Sequence, residues 1–494
     1  MAAASASFSP LANIINKPSE WSNDVRAAVI IALSVVVFSA VLLRPSYDGK
    51  VYDLGGIPIL TVWSFFTKRY DFIREQFKNS GGKTFRFRVL QHRVIAFNGE
   101  QSRKVYFNEA GFSMSEGYRI LMGGAPELKD AHVQSSVTDA DIEDGFIKRL
   151  LLLLRRDRIT DTLPTLLDDM HTRMTEWGTE GKINPFSQLV FQMTIRMATC
   201  KELAEDRKAM NDLAKHYWAL EKSATPVSLL LPWFPGPAKR AKEKSTVALY
   251  NLFNSFVERR RNATVPSSDP IDLFIAQGDS NDTIIGVPCW TLLFLGSNPV
   301  WKKKVVDELK ALVANHTDTL SSEPLHKRLA AIPLNAWEEQ LPTIDLAIRE
   351  TLRITATGST LRRNMHKDVT VDGVTVKRGD FLTYQLADVH LNPEIYKDPM
   401  QFDPSRFLEG REEDRKETFA FIGWGVGRHP CAGMKIAKLE IKLILALILL
   451  GYEYELVDGS GKYPKQLPTP DRNDIQQARP LGEPCYMKFK KVAE

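Results

Sequence analysis

The 494-residue sequence has few cysteines and no segment of biased composition. The four cysteines are far apart in the chain, and no two of them form a CxxC pair: they are Cys200, Cys289, Cys431 and Cys485. This distribution excludes zinc-finger spacing and fits a folded part that is kept in a reducing compartment. No internal repeat or low-complexity tract divides the chain, which is compatible with one large core.

The sequence also has no dense block of lysine and arginine, although its formal net charge is +5. Such a block is the usual electrostatic signature of a nucleic-acid-binding arm. We therefore predict no nucleic-acid partner. The mild excess of positive charge fits an acidic protein partner or lipid headgroups instead.

Charged residues are missing from 27–43, a run of 17 mostly apolar residues between Arg26 and Arg44. This length is at the short end of what spans a bilayer. The run starts late and lacks a clear small-residue cleavage site, which favours a transmembrane anchor over a cleaved signal peptide. Lys17 and Arg26 nearly balance Arg44 and Lys50, so flanking charge does not set the orientation. The predicted organisation is an N-terminal tail (1–26), the anchor (27–43), a turn-rich linker (44–62) and a folded domain (63–494).

The folded domain has mainly helical patterns. Apolar residues recur at three-to-four spacing through much of 141–312, as expected for helices. Residues 83–97 instead alternate apolar and basic side chains and predict a β-hairpin. Residues 369–384 predict further strands around an Asp372-Gly373 turn. The predicted fold class is mainly α with a small β-rich portion.

The most informative segment is the glycine-rich loop 421–433, which runs directly into a predicted helix from Met434 to about Leu450. Its glycines let the backbone wrap closely around the Cys431 sulfur, and the helix points unpaired N–H groups back at it. Both effects favour the thiolate, the form that binds a metal. A soft, strongly donating sulfur on an iron porphyrin favours O–O bond cleavage. The alternative is a buried, unreactive cysteine beside a tight turn, which is the commoner outcome for a lone cysteine.

The spacing of this loop resembles the haem-binding signature of the cytochromes P450. An aromatic stands seven residues before the cysteine, a glycine four before, a basic residue two before and a glycine two after: Trp424, Gly427, His429 and Gly433. The family usually has phenylalanine at the first position and arginine at the third. The resemblance implies that Cys431 is the axial ligand of haem b iron. It also implies that Trp424 and Gly433 lie beside the cofactor and that His429 reaches a haem propionate.

Two further motifs stand in the order that this resemblance requires. Glu350 and Arg353 form an ExxR pair on one face of a predicted helix, 344–354. Arg406, in a Pro-Ser-Arg-Phe segment, lies between this helix and Cys431. A bare ExxR is usually a surface ion pair, but the resemblance implies a buried network that holds the Cys431 loop. Such a network needs all its partners because an unpaired buried charge is very costly.

Other basic residues have two open interpretations. Arg363 is where the resemblance suggests a second propionate ligand, and the alternative is a solvated arginine at a strand edge. Lys435, Lys438 and Lys442 share one face of the helix after the loop. They form either an ordinary solvated face or a docking surface for an acidic electron donor.

The sequence lacks one motif that the resemblance requires. The family carries an acid and an alcohol on a long helix before the ExxR pair, where they relay protons to iron-bound dioxygen. Residues 272–299 correspond to that helix and lack the motif. Pro288 stands where the helix should be continuous, so we predict that the central helix is shortened. The nearest acid–alcohol pairs are Asp279-Ser280 and Asp282-Thr283. A deletion relative to the family, a lineage without the relay, and a relay built from one of these pairs all remain open.

The resemblance implies a cytochrome P450 fold and a membrane-anchored, fungal-type haem-thiolate monooxygenase. Such an enzyme inserts one oxygen atom from O2 into a lipophilic substrate, with electrons from an NADPH-cytochrome P450 reductase. Its anchor usually holds the catalytic domain on the cytosolic face of the endoplasmic reticulum. Residues 113–126 and 355–359 correspond to substrate-contacting segments, and the substrate class implied is a terpenoid-like skeleton of secondary metabolism. The alternatives are a haem-thiolate isomerase or dehydratase, which needs neither O2 nor reductase, and an inactive splice or gene-model variant.

Overall fold

Helices are the main element of the chain. The structure is a computed structural model that describes residues 22–42, 45–55, 63–121, 155–184, 201–223, 225–230, 234–261, 287–318, 321–474 and 478–492. The helices before the central region are α1 (Asn23–Leu42), α2 (Trp63–Thr67), α3 (Arg69–Asn79), α4 (Gly99–Asn108), α5 (Met114–Leu121), α6 (Arg156–Thr175), α7 (Lys201–Glu205), α8 (Arg207–Lys222), α9 (Pro226–Leu230) and α10 (Pro237–Arg261). The later helices are α11 (Val287–Ser297), α12 (Pro299–His316), α13 (Leu325–Ala330), α14 (Leu334–Glu339), α15 (Pro342–Thr355), α16 (Ala387–His390) and α17 (Met434–Gly451).

The strands form a smaller β-rich portion. They are β1 (Ser46–Asp48), β2 (Val51–Asp53), β3 (Phe85–Val89), β4 (His92–Phe97), β5 (Phe112–Ser113), β6 (Glu180–Ile183), β7 (Ser359–Asn364), β8 (Val369–Val371), β9 (Val374–Val376), β10 (Phe381–Gln385), β11 (Tyr452–Val457), β12 (Thr469–Pro470), β13 (Pro480–Leu481) and β14 (Tyr486–Lys491). Seven of them make one sheet in the order β1-β2-β3-β4-β10-β7-β5, in which β10 pairs parallel with β4 and antiparallel with β7.

The predicted hairpins are present in this portion. β3 pairs antiparallel with β4, and β8 pairs antiparallel with β9. The two residues between β8 and β9, Asp372 and Gly373, both have positive φ, at 48° and 73°. Positive φ at both central residues is the requirement of a tight hairpin turn, which is why an Asp-Gly pair predicts it.

The largest apolar core surrounds α17. Every residue of this helix from Leu439 to Leu449 is buried. A helix that is apolar nearly all round must be buried on all sides, and α17 packs against α6, α11, α12, α13, α14 and α15. The residues that follow Cys431 therefore enter the core directly, and this fixes the position of one end of the Cys431 loop.

The helix before α12 differs in detail from the prediction. α11 has 11 residues, or about 16 Å of helix at about 1.5 Å per residue. Pro288 is the second residue of α11, and Val287 is the first residue of this described range. The predicted helical residues before 287, with both acid–alcohol pairs, lie outside the described ranges.

The N-terminal region also differs from the prediction. The linker predicted at 44–62 contains β1 and β2, which pair with each other, and β2 pairs parallel with β3. This part of the linker therefore belongs to the sheet. The anchor predicted at 27–43 falls largely within α1. Among the helices of the described ranges, none is long and apolar enough to cross a membrane.

Candidate active site

The Cys431 loop is held by backbone hydrogen bonds rather than by regular secondary structure. The Cys431 N–H donates to the Trp424 carbonyl at 2.7 Å, and the Gly425 N–H donates to the Ile422 carbonyl at 2.9 Å. Gly425 has a φ of +69°, and a Cβ there would lie 2.5 Å from the His429 carbonyl oxygen. Only glycine satisfies both conditions, so this residue is required by the fold of the loop itself.

The loop also rests on the C-terminal end of α4. The Arg428 N–H donates to the Phe107 carbonyl at 3.0 Å. Gly427, with a φ of +66°, approaches so closely that a Cβ would lie 2.3 Å from the same oxygen. The glycine at this signature position is therefore explained by protein contacts alone.

Cys431 is half-buried and packs against the main core, in which Trp424 is a buried member. Burial raises the pKa of the Cys431 thiol, and a hydrogen bond from the Gly433 backbone lowers it by less. Burial is the larger of these two effects, so its influence on the pKa outweighs that of the backbone hydrogen bond. His429 is half-buried in the same loop.

Beneath the loop, one buried carboxylate binds two arginines. Glu350 accepts from Arg353 Nε and Nη2, both at 2.8 Å, and from Arg406 Nε at 2.9 Å. The Asp403 N–H also donates to it at 3.1 Å. The three charged residues are at most 1% exposed. The structure thus brings Arg406 to the Glu350–Arg353 pair, although Arg406 is 56 residues from Glu350 in the sequence.

The remaining donors of the two arginines are also satisfied. Arg353 donates to the carbonyls of His390 and Pro399 at 2.6 and 2.7 Å. Arg406 donates to Glu413 at 2.7 Å. Burial alone would raise the pKa of Glu413, but its hydrogen bonds from Arg411 and Arg406 outweigh burial and lower that pKa. Each charged group of the network therefore has a partner of opposite charge, as a buried set of charges must have.

His390 is a site residue that the sequence analysis missed. Its side chain is buried and bridges two segments: Nδ1 lies 2.8 Å from the Ala356 carbonyl oxygen, and the Ile422 N–H donates to Nε2 at 2.9 Å. Its ring also stacks on Phe421 with 5.6 Å between ring centroids. The sequence offered only a histidine on a short helix, with no spacing that marks a function.

Arg363 lies on β7 and pairs with an acid of α5. Arg363 Nη1 donates to Glu116 at 2.9 Å. α5 approaches β7 closely because Gly117 has no side chain: a Cβ there would lie 2.8 Å from the Arg362 backbone. β7 lies between β10 and β5 rather than at the sheet edge, and the Arg363 side chain is 24% exposed. The alternative of a solvated strand-edge arginine is therefore wrong.

The three lysines of α17 do not form one surface. Lys435 is exposed, but the Lys442 side chain is only 3% exposed. Lys442 Nζ donates to Asp345 and to the Trp337 carbonyl, both at 3.0 Å, while Lys438 lies 3.8 Å from the other oxygen of Asp345. Lys442 therefore ties α17 to α14 and α15 and is unavailable to an electron donor.

Thr291 on α11 is packed against α15. Thr291 is fully buried, and its Oγ1 donates to the Val287 carbonyl at 2.9 Å and lies 3.1 Å from Thr351 Oγ1 on α15. This hydroxyl therefore packs between two helices. The pairs Asp279-Ser280 and Asp282-Thr283 lie outside the described residues.

The surroundings of Cys431 fit a haem. Among the described residues, a Cβ at Gly433 would meet only Ile436 Cγ2, at 3.8 Å, so these residues leave space at this position near the cysteine. The buried Nε atoms of Arg362 and Arg363 have no hydrogen-bond partner among the described residues, and a guanidinium N–H group suits a propionate. A bound metal cation would convert the neutral thiol of Cys431 to the thiolate.

Comparisons with known proteins agree with this geometry. A family model described as "Cytochrome P450" matches residues 271–475. The cytochrome P450 monooxygenase AacuE of Aspergillus aculeatus is 28% identical, and the alignment covers 88% of this chain and 92% of that protein. The cytochrome P450 monooxygenase nsrP of Aspergillus novofumigatus is 27% identical, with 93% of each chain covered. The sterol 14-demethylase of Arabidopsis thaliana is 25% identical over 88% of this chain and 92% of that one.

A solved structure shows the same fold. It is described as "Retinoic acid bound cyanobacterial CYP120A1", and it superposes with a TM-score of 0.67 at 18% sequence identity. The superposition covers 88% of this chain and 98% of that chain. The predicted fold class, mainly α with a smaller β-rich portion, is confirmed.

The buried network predicts a large loss of stability when one of its arginines is removed. Arg353→Ala leaves Glu350 with an unpaired buried charge, so we expect the free energy of unfolding to fall by about 3–5 kcal/mol. Arg74 pairs with Asp71 at the same i,i+3 spacing, but its side chain is 70% exposed. Arg74→Ala should therefore change the free energy of unfolding by less than about 1 kcal/mol. Urea unfolding followed by circular dichroism measures both. Equal effects of the two substitutions would contradict a structural role of the network.

The position of Lys442 makes a second prediction. Lys442→Met should lower the free energy of unfolding by about 1–3 kcal/mol, because the buried Trp337 carbonyl and the half-buried Asp345 carboxylate lose their donor. Lys435→Met, on the same helix but exposed, should leave it nearly unchanged. The same unfolding experiment compares the two variants, and a harmless Lys442→Met would show that the observed ion pair does not stabilise the helix.

Proposed function

This chain belongs to the cytochrome P450 family, and on that premise we propose that it is a monooxygenase that inserts one oxygen atom from O2 into a lipophilic substrate. The family and fold imply a haem whose iron is bound by a thiolate. The observation that carries the proposal is the complete proximal half of the site, in which a single cysteine lies on a loop braced by a buried, fully paired ionic network. When bound, the haem supplies the oxygen chemistry, and the thiolate favours O–O bond cleavage.

Each residue of the proximal half has one proposed task. Cys431 would bind the haem iron through its sulfur. Trp424 places an apolar ring beside the haem and excludes water from the sulfur, while Gly433 leaves room for the macrocycle. His429 and Arg363 hold the propionates. When Arg363 binds a propionate, it would give up or share its hydrogen bond with Glu116. Glu350, Arg353 and Arg406 do not react: they hold the loop at a fixed place.

The substrate class rests on the relatives and on two buried hydroxyls. One relative is a sterol demethylase, and the matching solved structure is bound to retinoic acid. Thr357 and Ser359, directly after α15, are buried, and their hydroxyls have no hydrogen-bond partner among the described residues. We propose that this segment contacts a terpenoid-like substrate of secondary metabolism, which is mostly apolar and carries a polar group for these hydroxyls.

Electrons would come from an NADPH-cytochrome P450 reductase that binds at the Cys431 side of the molecule. Lys435 is exposed there, whereas Lys442 is not. An isomerase or dehydratase that rearranges a peroxide is the second candidate, because the described helix α11 carries no acidic residue beside Thr291, whose hydroxyl is packed against Thr351.

We propose that α1 attaches the protein to the endoplasmic reticulum membrane, with the catalytic domain in the cytosol. Support comes from its apolar side chains: Ile30, Ile31, Leu33, Val35 and Val37 are each 58–63% exposed. A chain expressed without residues 1–44 should move from the membrane pellet to the supernatant. A full-length chain that is released by salt alone would contradict this attachment.

Turnover distinguishes the two reaction classes. We expect a reconstituted system with reductase and NADPH to incorporate one atom of 18O2 into a lipophilic substrate. The reduced, CO-bound wild type should show the spectrum of thiolate-bound ferrous haem, and Cys431→Ser should lose it. Cys485→Ser, at a buried cysteine elsewhere, is the control. Conversion of a hydroperoxide without NADPH, with no 18O2 incorporation, would instead favour the isomerase. Absence of any thiolate spectrum would indicate an inactive form.

A further inference from the structure

His390 stands between the ionic network and the Cys431 loop and contacts both. Its backbone carbonyl accepts a hydrogen bond from Arg353 Nη1 at 2.6 Å. Its side-chain Nε2 accepts one from the Ile422 N–H at 2.9 Å. A single buried residue therefore links the guanidinium bound to Glu350 with the first residues of the loop.

The partners of the imidazole fix its tautomer. The Ala356 carbonyl oxygen, 2.8 Å from Nδ1, can only accept, so Nδ1 carries the proton. The Ile422 N–H can only donate, so Nε2 must be unprotonated. Charge on the ring is also disfavoured by its surroundings: burial and the cations of Arg353 and Arg103 lower the pKa of His390 to about 3, although the Ala356 carbonyl acts in the opposite direction. The bridge exists only with a neutral ring.

Ile422 transmits this restraint into the loop. Its N–H group is bound by His390, and its carbonyl accepts from the Gly425 N–H at 2.9 Å. Gly425 opens the turn in which the Cys431 N–H bonds back to Trp424. Before Ile422, the Phe421 ring stacks on the His390 ring, and the carbon of the Arg349 guanidinium lies 4.7 Å from the Phe421 ring centroid. Both sides of the Phe421–Ile422 peptide are therefore held.

The other end of the loop is fixed by α17 in the core. The position of the sulfur then depends on where the loop begins. We propose that His390 is a positioning residue that sets the Cys431 ligand by holding the Ile422 amide through neutral Nε2. This inference rests on the proposed function, in which Cys431 binds haem iron.

Two substitutions that introduce a side-chain amide test the two hydrogen bonds of the His390 ring separately. In His390→Gln, the side-chain oxygen reaches the place of Nε2 and accepts from the Ile422 N–H, but the Ala356 carbonyl loses its donor. In His390→Asn, the side-chain nitrogen replaces Nδ1 and donates to Ala356, but nothing reaches Ile422. Each variant loses one hydrogen bond to one buried backbone group, so the two are matched in stability and differ only in which segment is released.

We expect His390→Gln to keep most of the thiolate-type CO spectrum of the wild type. His390→Asn should convert more than half of its CO complex to the form without thiolate, at a similar melting temperature. Hydrogen exchange at the Ile422 amide, followed by mass spectrometry of the loop peptide, should be at least tenfold faster in His390→Asn alone. Equal spectra and equal exchange in the two variants would overturn the proposal.

Acidification gives a third readout. The pKa of His390 in the folded protein, about 3, lies below the ordinary value of 6.5. Between these two values the unfolded chain binds a proton at this histidine that the folded chain does not bind. The wild type therefore loses stability as pH falls from about 6.5 towards 3. His390→Gln cannot take up that proton, and its acid-unfolding midpoint should lie at lower pH. The exchange and acid experiments report on His390 even if the wild type shows no thiolate spectrum, which would contradict only the proposed function.

Discussion

The structure depends on one buried carboxylate, Glu350, that is shared by two arginines. Burying three charges is costly, and the cost is offset only because every polar partner is present. The same requirement brings distant segments together: the arginines also donate to carbonyls of His390, Pro399 and Lys397. Between α16 and the Cys431 loop the chain has little regular secondary structure. These hydrogen bonds fix the path of its backbone.

The ionic network and the apolar core act at opposite ends of the loop that carries Cys431. α17 fixes the loop's end by apolar burial, whereas Arg353 and His390 fix its beginning by directional hydrogen bonds. The loop itself adds two glycines, Gly425 and Gly427, at which side chains would collide with backbone. Burial raises the pKa of the Cys431 thiol, so the protein contributes geometry, and a bound metal cation would stabilise the charge on the sulfur.

Much of this could be predicted from the sequence because it depends on spacing. Periodicity located α15 and α17, the Asp372-Gly373 pair located a hairpin, and the order of motifs identified the residues around Glu350. Contacts that depend on tertiary packing could not be predicted. Lys442 looks like a surface lysine in a helical pattern, but it is buried against Asp345. His390 carries no local signal because its role arises from three segments that meet only in the fold.

The central claim is that this proximal architecture presents Cys431 to haem iron. Iron X-ray absorption fine structure of the purified, haem-loaded full-length protein tests it most directly. The account predicts one sulfur scatterer in the first shell of the iron, in addition to the four porphyrin nitrogens, and its loss in Cys431→Ser. A first shell of nitrogen and oxygen alone in the wild-type protein would contradict it.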